Sequence, residues 1–223
     1  SDEAKRRLLE ICCRNGIAII EDDSCGDLYF GTHRPKPIKS ISPEHTIYIS
    51  SFSTSVAPGL RMHWVCPGKY TDILRYYRSN ISSTPPAFIQ SGFAMYMQSR
   101  HFKKHMALIR SALERAVAAA CGAVYSAFPD GTHAASPEGG YILYVQLPSG
   151  IDGTAIFAEA NRRGISLIEC EDPISDACCF AINCSVIAKS PPKLSGITEL
   201  GAIACRQLRL MLPELRPAAS YGL

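Results

Sequence analysis

The stretch Ser51-Phe52-Ser53-Thr54-Ser55-Val56-Ala57-Pro58-Gly59-Leu60-Arg61 follows a short run, Thr46–Ser50, whose composition predicts a strand. An earlier run, Ile17-Ala18-Ile19-Ile20, reads as a strand buried on both faces and ends in Glu21-Asp22-Asp23. Each run delivers polar residues at its carboxyl end, which is where open α/β sheets place ligands. Two parallel strands of this kind predict an α/β domain. Ser-Phe-Ser is a weak signal by itself, because serine pairs are common in loops.

Working outward, residues 2–14 set Ala4, Leu8, Leu9 and Cys12 at helical spacing, with Ser1 as a cap and Asn15-Gly16 as the stop. Met62–Cys66 reads as a further strand. From Pro86 the pattern turns helical, with helices over 86–98 and 101–120; the second carries Met106, Ile109, Leu113 and Val117 on one face. Lys103 and Lys104 in its opening turn read as a solvated face. After Gly122 the composition shifts. Tyr141–Leu147, Ser166–Glu169 and Cys179–Cys184 read as strands, Thr154–Arg163 and Gly196–Leu212 as helices, and Pro191-Pro192 as a break before the last helix. Residues 1–122 are thus expected to form one domain and 123–223 a smaller α+β domain.

The 223 residues are 47% hydrophobic, enough for a packed core, and the formal charge of +3 comes without any basic run. A nucleic-acid or anionic-membrane surface is not expected on this segment, and no stretch of about twenty apolar residues offers a membrane span. Ten cysteines occur without a single Cys-x-x-Cys, so the usual zinc spacing is missing; Cys12-Cys13 and Cys178-Cys179 are adjacent pairs. The charged opening Asp2 to Glu10 is unlike a signal segment, so reduced thiols in a cytoplasmic protein are expected, most of them packing as small hydrophobes.

The segment 51–61 resembles the Ser-x-Ser-Lys-x-x-x-Pro-Gly-Leu-Arg pattern by which class I/II aminotransferases hold pyridoxal phosphate. With Ile19-Ile20-Glu21-Asp22-Asp23 before it, and Glu138-Gly139-Gly140-Tyr141 and Phe180-Ala181-Ile182-Asn183-Cys184-Ser185 after it, the chain is similar nearly end to end to the C-terminal portion of a fold-type I aminotransferase. Its nearest likeness is to the aminotransferase-like domain of MocR-type regulators and to aminoadipate/kynurenine aminotransferases. The resemblance implies part of the family's large domain, a mainly parallel sheet with helices, followed by the smaller C-terminal α+β domain. It also implies pyridoxal 5'-phosphate as the cofactor. By the family's Asp-x-x-Tyr pattern, Asp22 is the carboxylate against the pyridine nitrogen, whose protonation makes the ring an electron sink. Without the resemblance, Asp22 and Asp23 read first as caps of the loop that follows the strand. Ser51, Ser53 and Arg61 stand at the family's phosphate positions, where hydroxyls and a fork-shaped guanidinium suit a phosphate monoester.

Three positions depart from the pattern. Thr54 stands at the Schiff-base lysine, and a hydroxyl can neither condense with the cofactor's aldehyde nor shuttle the proton. Cys25 stands at the tyrosine that bonds the ring oxygen, and Ala181 at the arginine that clamps the substrate carboxylate. His63 also replaces a glycine, and Glu169-Cys170 a Pro-Gly. A lone histidine beside an aromatic is more often a packed or partly exposed side chain than a replacement base, and Lys69 lies beyond the next strand. The family's large domain would begin before residue 1, so the piece is expected to be a fragment or to be completed by a partner. Three readings follow: a degenerate domain that binds pyridoxal phosphate noncovalently at most, as a sensing or dimerising module; an aminotransferase completed by another chain; or a scaffold whose helices 86–98 and 101–120 form a dimer face. The implied partners are a second copy or a complementing N-terminal half, with an amino acid as ligand.

Overall fold

The structure, a computed structural model, describes residues 2–81, 86–170, 178–189 and 194–211. The chain divides into two compact units, residues 1–111 and 112–223. Ser1, Pro191-Pro192 and Leu212, which figure in the sequence-based expectations, lie outside the described residues.

The first unit contains α1 (Asp2–Arg14), β1 (Ile19–Asp22), β2 (Thr46–Ser51), β3 (His63–Cys66), α2 (Thr71–Ile81), α3 (Ala87–Gln98) and the opening of the long α4 (Arg100–Ala127). Its sheet has the order β1-β2-β3. β1 and β2 are parallel, with Ile19 opposite Thr46 and Asp22 opposite Ile49. Parallel neighbours need a crossover of a dozen or more residues, and residues 23–45 supply it. β3 returns antiparallel, with Ser51 opposite His63.

Strand β1 is not buried on both faces, contrary to the expectation from its apolar run. Ile19 packs with Leu9 and Cys12 of α1 and with Ile38, whereas Ile20 on the other face is 66% exposed and Ile17 lies ahead of the strand. Side chains alternate along a strand, and among the described residues only the Ile19 face is covered by α1. The sequence reading also has no helix where α2 lies. Its Thr, Tyr, Ser and Asn content lowers helix propensity. The helix nonetheless sets Ile73, Tyr77 and Ile81 four residues apart, and Thr71 Oγ1 donates to the Gly68 carbonyl at 2.7 Å.

The second unit holds the remainder of α4, then β4 (His133–Ala134), β5 (Ile142–Gln146), α5 (Gly153–Arg162), β6 (Ile168–Cys170), β7 (Cys179–Asn183), α6 (Ser185–Lys189) and α7 (Leu194–Met211). Its sheet runs β4-β5-β7-β6, antiparallel throughout. Central β7 is buried on both faces from Cys179 to Ile182, and Leu143, Val145, Ile156 and Leu200 join it in the core. Phe128, just past α4, stacks at 5.9 Å on Phe180. Asp152 caps α5, its carboxylate accepting from the backbone N–H groups of Thr154 (2.9 Å) and Ala155 (3.4 Å).

Helix α7 passes the end of α4 at backbone distance: a Cβ added to Gly201 would stand 2.5 Å from the carbonyl carbon and oxygen of Ala127. Gly122 in α4 has open space around it. Alanine is worth up to about 1 kcal/mol over glycine inside a helix, while an overpacked contact costs about 1–3 kcal/mol. Gly122→Ala is therefore expected to raise the urea midpoint and Gly201→Ala to lower it. Shifts of the same sign would contradict the packing described here.

Candidate functional site

The carboxyl end of β1 presents three acids, and strand alternation sorts them. Glu21 lies on the Ile19 face, where its carboxylate accepts from Ile38 N (2.7 Å) and Lys39 N (2.9 Å) and so caps the 3-10 turn Ile38–Ser40. Asp23 accepts from Tyr48 Oη at 2.7 Å and pairs with the Arg34 guanidinium at 2.5 Å. Arg34 also donates to the Gly26 carbonyl (3.0 Å) and to Tyr48 Oη (3.2 Å), and stands 3.4 Å from Asp27. Burial alone would weaken the arginine's hold on its proton, but the Tyr48 hydrogen bond and the Asp27 and Asp23 carboxylates outweigh it and raise its pKa. Burial and the bond to Asp23 push the Tyr48 hydroxyl up. Any side chain at position 26 would displace this network, since a Cβ on Gly26 would sit 2.0 Å from Asp23 Oδ1.

Asp22 is the remaining acid. It is exposed, has no cationic partner among the described residues, and shares its sheet face with Ile20. Its Oδ1 accepts from Ser24 Oγ (2.6 Å) and Ser24 N (3.0 Å), and these bonds hold its pKa below the usual carboxylate value. Asp22 therefore caps the following turn and is also ionised and open.

The loop after β2 folds against this edge. Buried Ser51 accepts from Ser53 N (3.0 Å) and donates to the Met62 carbonyl (3.5 Å), so its hydroxyl holds the turn. Ser50 Oγ donates to the Asp23 carbonyl (3.0 Å) and Thr54 Oγ1 to the Ser24 carbonyl (2.6 Å), tying the two loops together. Cys25 sits beside Thr54; burial, then the Asp22 and Asp23 carboxylates, push its thiol up, against a hydrogen bond from Thr54. The hydroxyls of Ser53 and Ser55 are buried without a partner, as is that of Thr46 at the start of β2, although leaving such a group unsatisfied costs about 1–3 kcal/mol. The Ser55 carbonyl accepts from His105 Nε2–H at 2.8 Å.

Arg61 is exposed and closes the 3-10 turn Pro58–Leu60 with φ of 49°, a left-handed backbone that costs a non-glycine residue about 1–2 kcal/mol. His63, two residues on, is exposed and opposite Ser51. The topology thus gathers Asp22, Cys25, Ser51, Ser53, Thr54 and the Arg61 turn at one edge of one sheet. Lys69 lies at the other end: its N–H donates to the Glu44 carbonyl ahead of β2, and its amine stands over the Tyr70 ring. A six-residue strand separates that end from Thr54 by roughly 17–20 Å. In the second unit, Ala181 lies on β7 opposite Tyr144 and Ile168, is 3% exposed, and leaves its place in the strand without a guanidinium. Sequence reasoning did not single out Ser55, Arg34 or Tyr48. An arginine in a long crossover, and a tyrosine on the buried alternation of β2, were the signals available.

No protein-family model matches the chain. In sequence it is 32% identical over 167 residues to the uncharacterized HTH-type transcriptional regulator YjiR of Escherichia coli, a match covering 74% of this chain and 36% of that protein. It is 27% identical over 170 residues to aromatic-amino-acid aminotransferase 1 of Thermococcus litoralis, covering 75% and 41% of the two chains. In structure it resembles the kynurenine aminotransferase of Pyrococcus horikoshii with a TM-score of 0.80 and 25% identity, over 92% of this chain and 52% of that one. The chain is a fold-type I aminotransferase homologue. The multiple substrate aminotransferase of Thermococcus profundus shares the fold with a TM-score of 0.81 at 21% identity, over 93% and 53%. The homologue spans roughly a third to a half of the length of the curated relatives it matches, and about half of these structures. Among its described residues no helix is long and apolar enough to cross a membrane.

The Asp23–Arg34–Tyr48 network gives a direct test of how this edge is held. Tyr48→Phe removes a neutral hydroxyl and is expected to cost about 1 kcal/mol of unfolding free energy. Arg34→Leu leaves Asp23 without its cation and is expected to cost about 2 kcal/mol, given that solvent reaches both groups. Because the two share a partner, the double variant should lose less than the sum in urea titrations.

Proposed function

We propose that the chain is an aminotransferase-like domain that binds pyridoxal phosphate noncovalently and does not transaminate by itself. The observation that carries this reading is at Thr54. The side chain at the lysine position of the resemblance is a hydroxyl already donated to the Ser24 carbonyl, and no lysine of the sheet's other end reaches it. The reading extends to the domains: residues 1–122 as the C-terminal part of the coenzyme domain with its interdomain helix, and 123–223 as the small domain.

The residues present suit two of the coenzyme's three anchoring points. Ser53 and Ser55 offer buried hydroxyls without partners, and Arg61 offers an exposed guanidinium on a constrained turn; these would hold the phosphate. Asp22, ionised and unpaired with any cation among the described residues, would face the ring nitrogen and keep it protonated. The covalent anchor is not suited, since Thr54 has no amine and Cys25 has no phenol for the ring oxygen. When bound, pyridoxal phosphate supplies an electron-withdrawing ring that stabilises a carbanion at an amino-acid α-carbon. With Thr54 in place, this chain has no group to move the proton at that carbon, and Ala181 gives an amino-acid carboxylate no clamp.

Such a domain suits a regulator that senses a coenzyme or an amino acid, and several relatives of the chain are HTH-type regulators. It would work in the cytoplasm as a homodimer or joined to a complementing N-terminal half. A second reading, an aminotransferase completed by another chain, draws on relatives such as the 2-aminoadipate transaminase of Thermus thermophilus.

Titrating the chain with pyridoxal phosphate is expected to give an absorbance change that dialysis reverses. Borohydride reduction followed by peptide mapping is expected to find no coenzyme fixed to the peptide containing residue 54 or to any lysine. Arg61→Ala should weaken binding roughly tenfold or more, as loss of a charge-assisted contact to phosphate requires. Coenzyme fixed to a lysine would support the second reading, and binding indifferent to Arg61→Ala would remove the phosphate site from the proposal.

A further inference from the structure

Two of the chain's ten cysteines stand opposite each other in the second unit's sheet. Cys170 ends β6 and Cys179 begins β7, and the antiparallel register sets them directly opposite. Residues opposite each other in an antiparallel pair share a face, with Cα atoms about 4.5–5.5 Å apart. A disulfide requires Cα atoms about 4.4–6.8 Å apart with converging Cβ atoms, and directly opposed strand partners fall within that Cα range.

The adjacent thiol is turned away. Cys178 points its sulfur toward the start of α5, where a Cβ on Gly153 would stand 2.5 Å from Cys178 Sγ and 3.8 Å from Phe157. Alternation along the strand then directs Cys179 to the opposite face, toward Cys170. Cys179 is 2% exposed, whereas Cys170 is half-buried on the edge strand, with its Sγ 3.6 Å from the Ile168 carbonyl. One thiol of the pair is therefore reachable from solvent and the other is sheltered. Neither Cys170 nor Cys179 is in a disulfide in the structure.

We propose that Cys170 and Cys179 are a redox-closable pair whose disulfide clips the edge strand β6 to β7. With a peroxide as oxidant, the Cys170 thiolate attacks one peroxide oxygen, giving a sulfenic acid and releasing hydroxide, which takes up a proton to become water. The Cys179 sulfur then attacks the Cys170 sulfur and a second water leaves. Two electrons and two thiol protons pass from the pair to the peroxide, and one S–S bond forms. Burial, and then the neighbouring Cys179, push the Cys170 thiol up, so the first step is slower than at an activated sensor thiol. The bond would act on a three-residue strand that lies at the edge of the sheet among the described residues. It would also lock the register of the strand that carries Ala181, two residues beyond Cys179 on the same face.

The experiment treats the 223-residue chain with hydrogen peroxide, blocks free thiols, and maps peptides without reductant. The expected result is a linked Cys170–Cys179 peptide lighter by two hydrogens. The link should be retained in Cys178→Ser and lost in Cys170→Ser, where Cys179 is recovered alkylated. The linked protein should melt roughly 5 °C above the reduced one, and reductant should abolish the difference. A bridge that uses Cys178, oxidation of Cys170 beyond sulfenic acid with Cys179 left free, or no bridge at all would overturn the pairing. A bridge formed without a rise in melting temperature would overturn its role as a clip. None of these readouts involves pyridoxal phosphate, so the outcome is separate from the coenzyme reading.

Discussion

Two side-chain hydroxyls hold the polar edge of the first unit together. Ser50 reaches from the end of β2 to the Asp23 carbonyl, and Thr54 reaches from the following turn to the Ser24 carbonyl. Parallel strands present their polar termini side by side, but the backbone ladder ends at the Asp23 N–H, which donates to the Ile49 carbonyl at 2.8 Å. Beyond that point, nothing in strand pairing fixes the relation of the two loops. These two bonds supply it, so the geometry of Asp22 relative to the Ser-rich turn depends on a serine and on the residue at the lysine position of the family pattern. Thr54 is thus more than an absent amine: its hydroxyl takes a structural role that a flexible lysine chain would not fill.

The same edge sorts its acids by what neutralises them. Glu21 is used by two backbone N–H groups and Asp23 by Arg34 and Tyr48, so two of the three carboxylates are tied to distant parts of the fold, whereas Asp22 bonds only to neighbouring Ser24 and stays exposed. Each assignment follows from alternation along a four-residue strand combined with a crossover that brings Arg34 and Ile38 back to its end. Had the strand paired with β2 one residue out of register, Asp22 would have faced the covered side and Asp23 the open one.

Much of the architecture could be read from local pattern. Helix α1 with its Asn15-Gly16 stop, strand β2, and the alternation of helices and strands in the second unit were visible because their signals are periodic and short-range. The candidate residues Asp22, Ser51, Ser53 and Arg61 came from spacing within a family pattern, and the topology brings their segments to one edge. What escaped the reading depends on partners distant in the chain. The Arg34–Asp23 pair spans eleven positions and the Tyr48–Asp23 bond twenty-five, and neither leaves a local mark. The one-sided burial of β1 escaped for a related reason: an apolar run records what a strand can bury, whereas the cover itself comes from other elements. Helix α2 was missed because its tyrosines, serine and asparagine favour other structures intrinsically, while its apolar side chains recur at helical spacing.

Ser53 and Ser55 weigh on the coenzyme reading more than the motif that first drew attention to them. A serine pattern can persist through descent alone, whereas a hydroxyl kept buried without a partner carries a continuing cost of about 1–3 kcal/mol. Ser51, in the same turn, shows the alternative: its hydroxyl is satisfied by Ser53 N and the Met62 carbonyl, which makes it part of the scaffold. A chain that had lost all use for an anion at this edge would gain stability from alanine at 53 and 55, yet it has serine at both, beside an arginine held in a left-handed turn. Hydroxyl donors beside a threonine at the lysine position of the family pattern are what the proposed noncovalent binding requires. The physical argument for a coenzyme site therefore rests on these unsatisfied groups, and the argument against transamination rests independently on the hydroxyl at position 54.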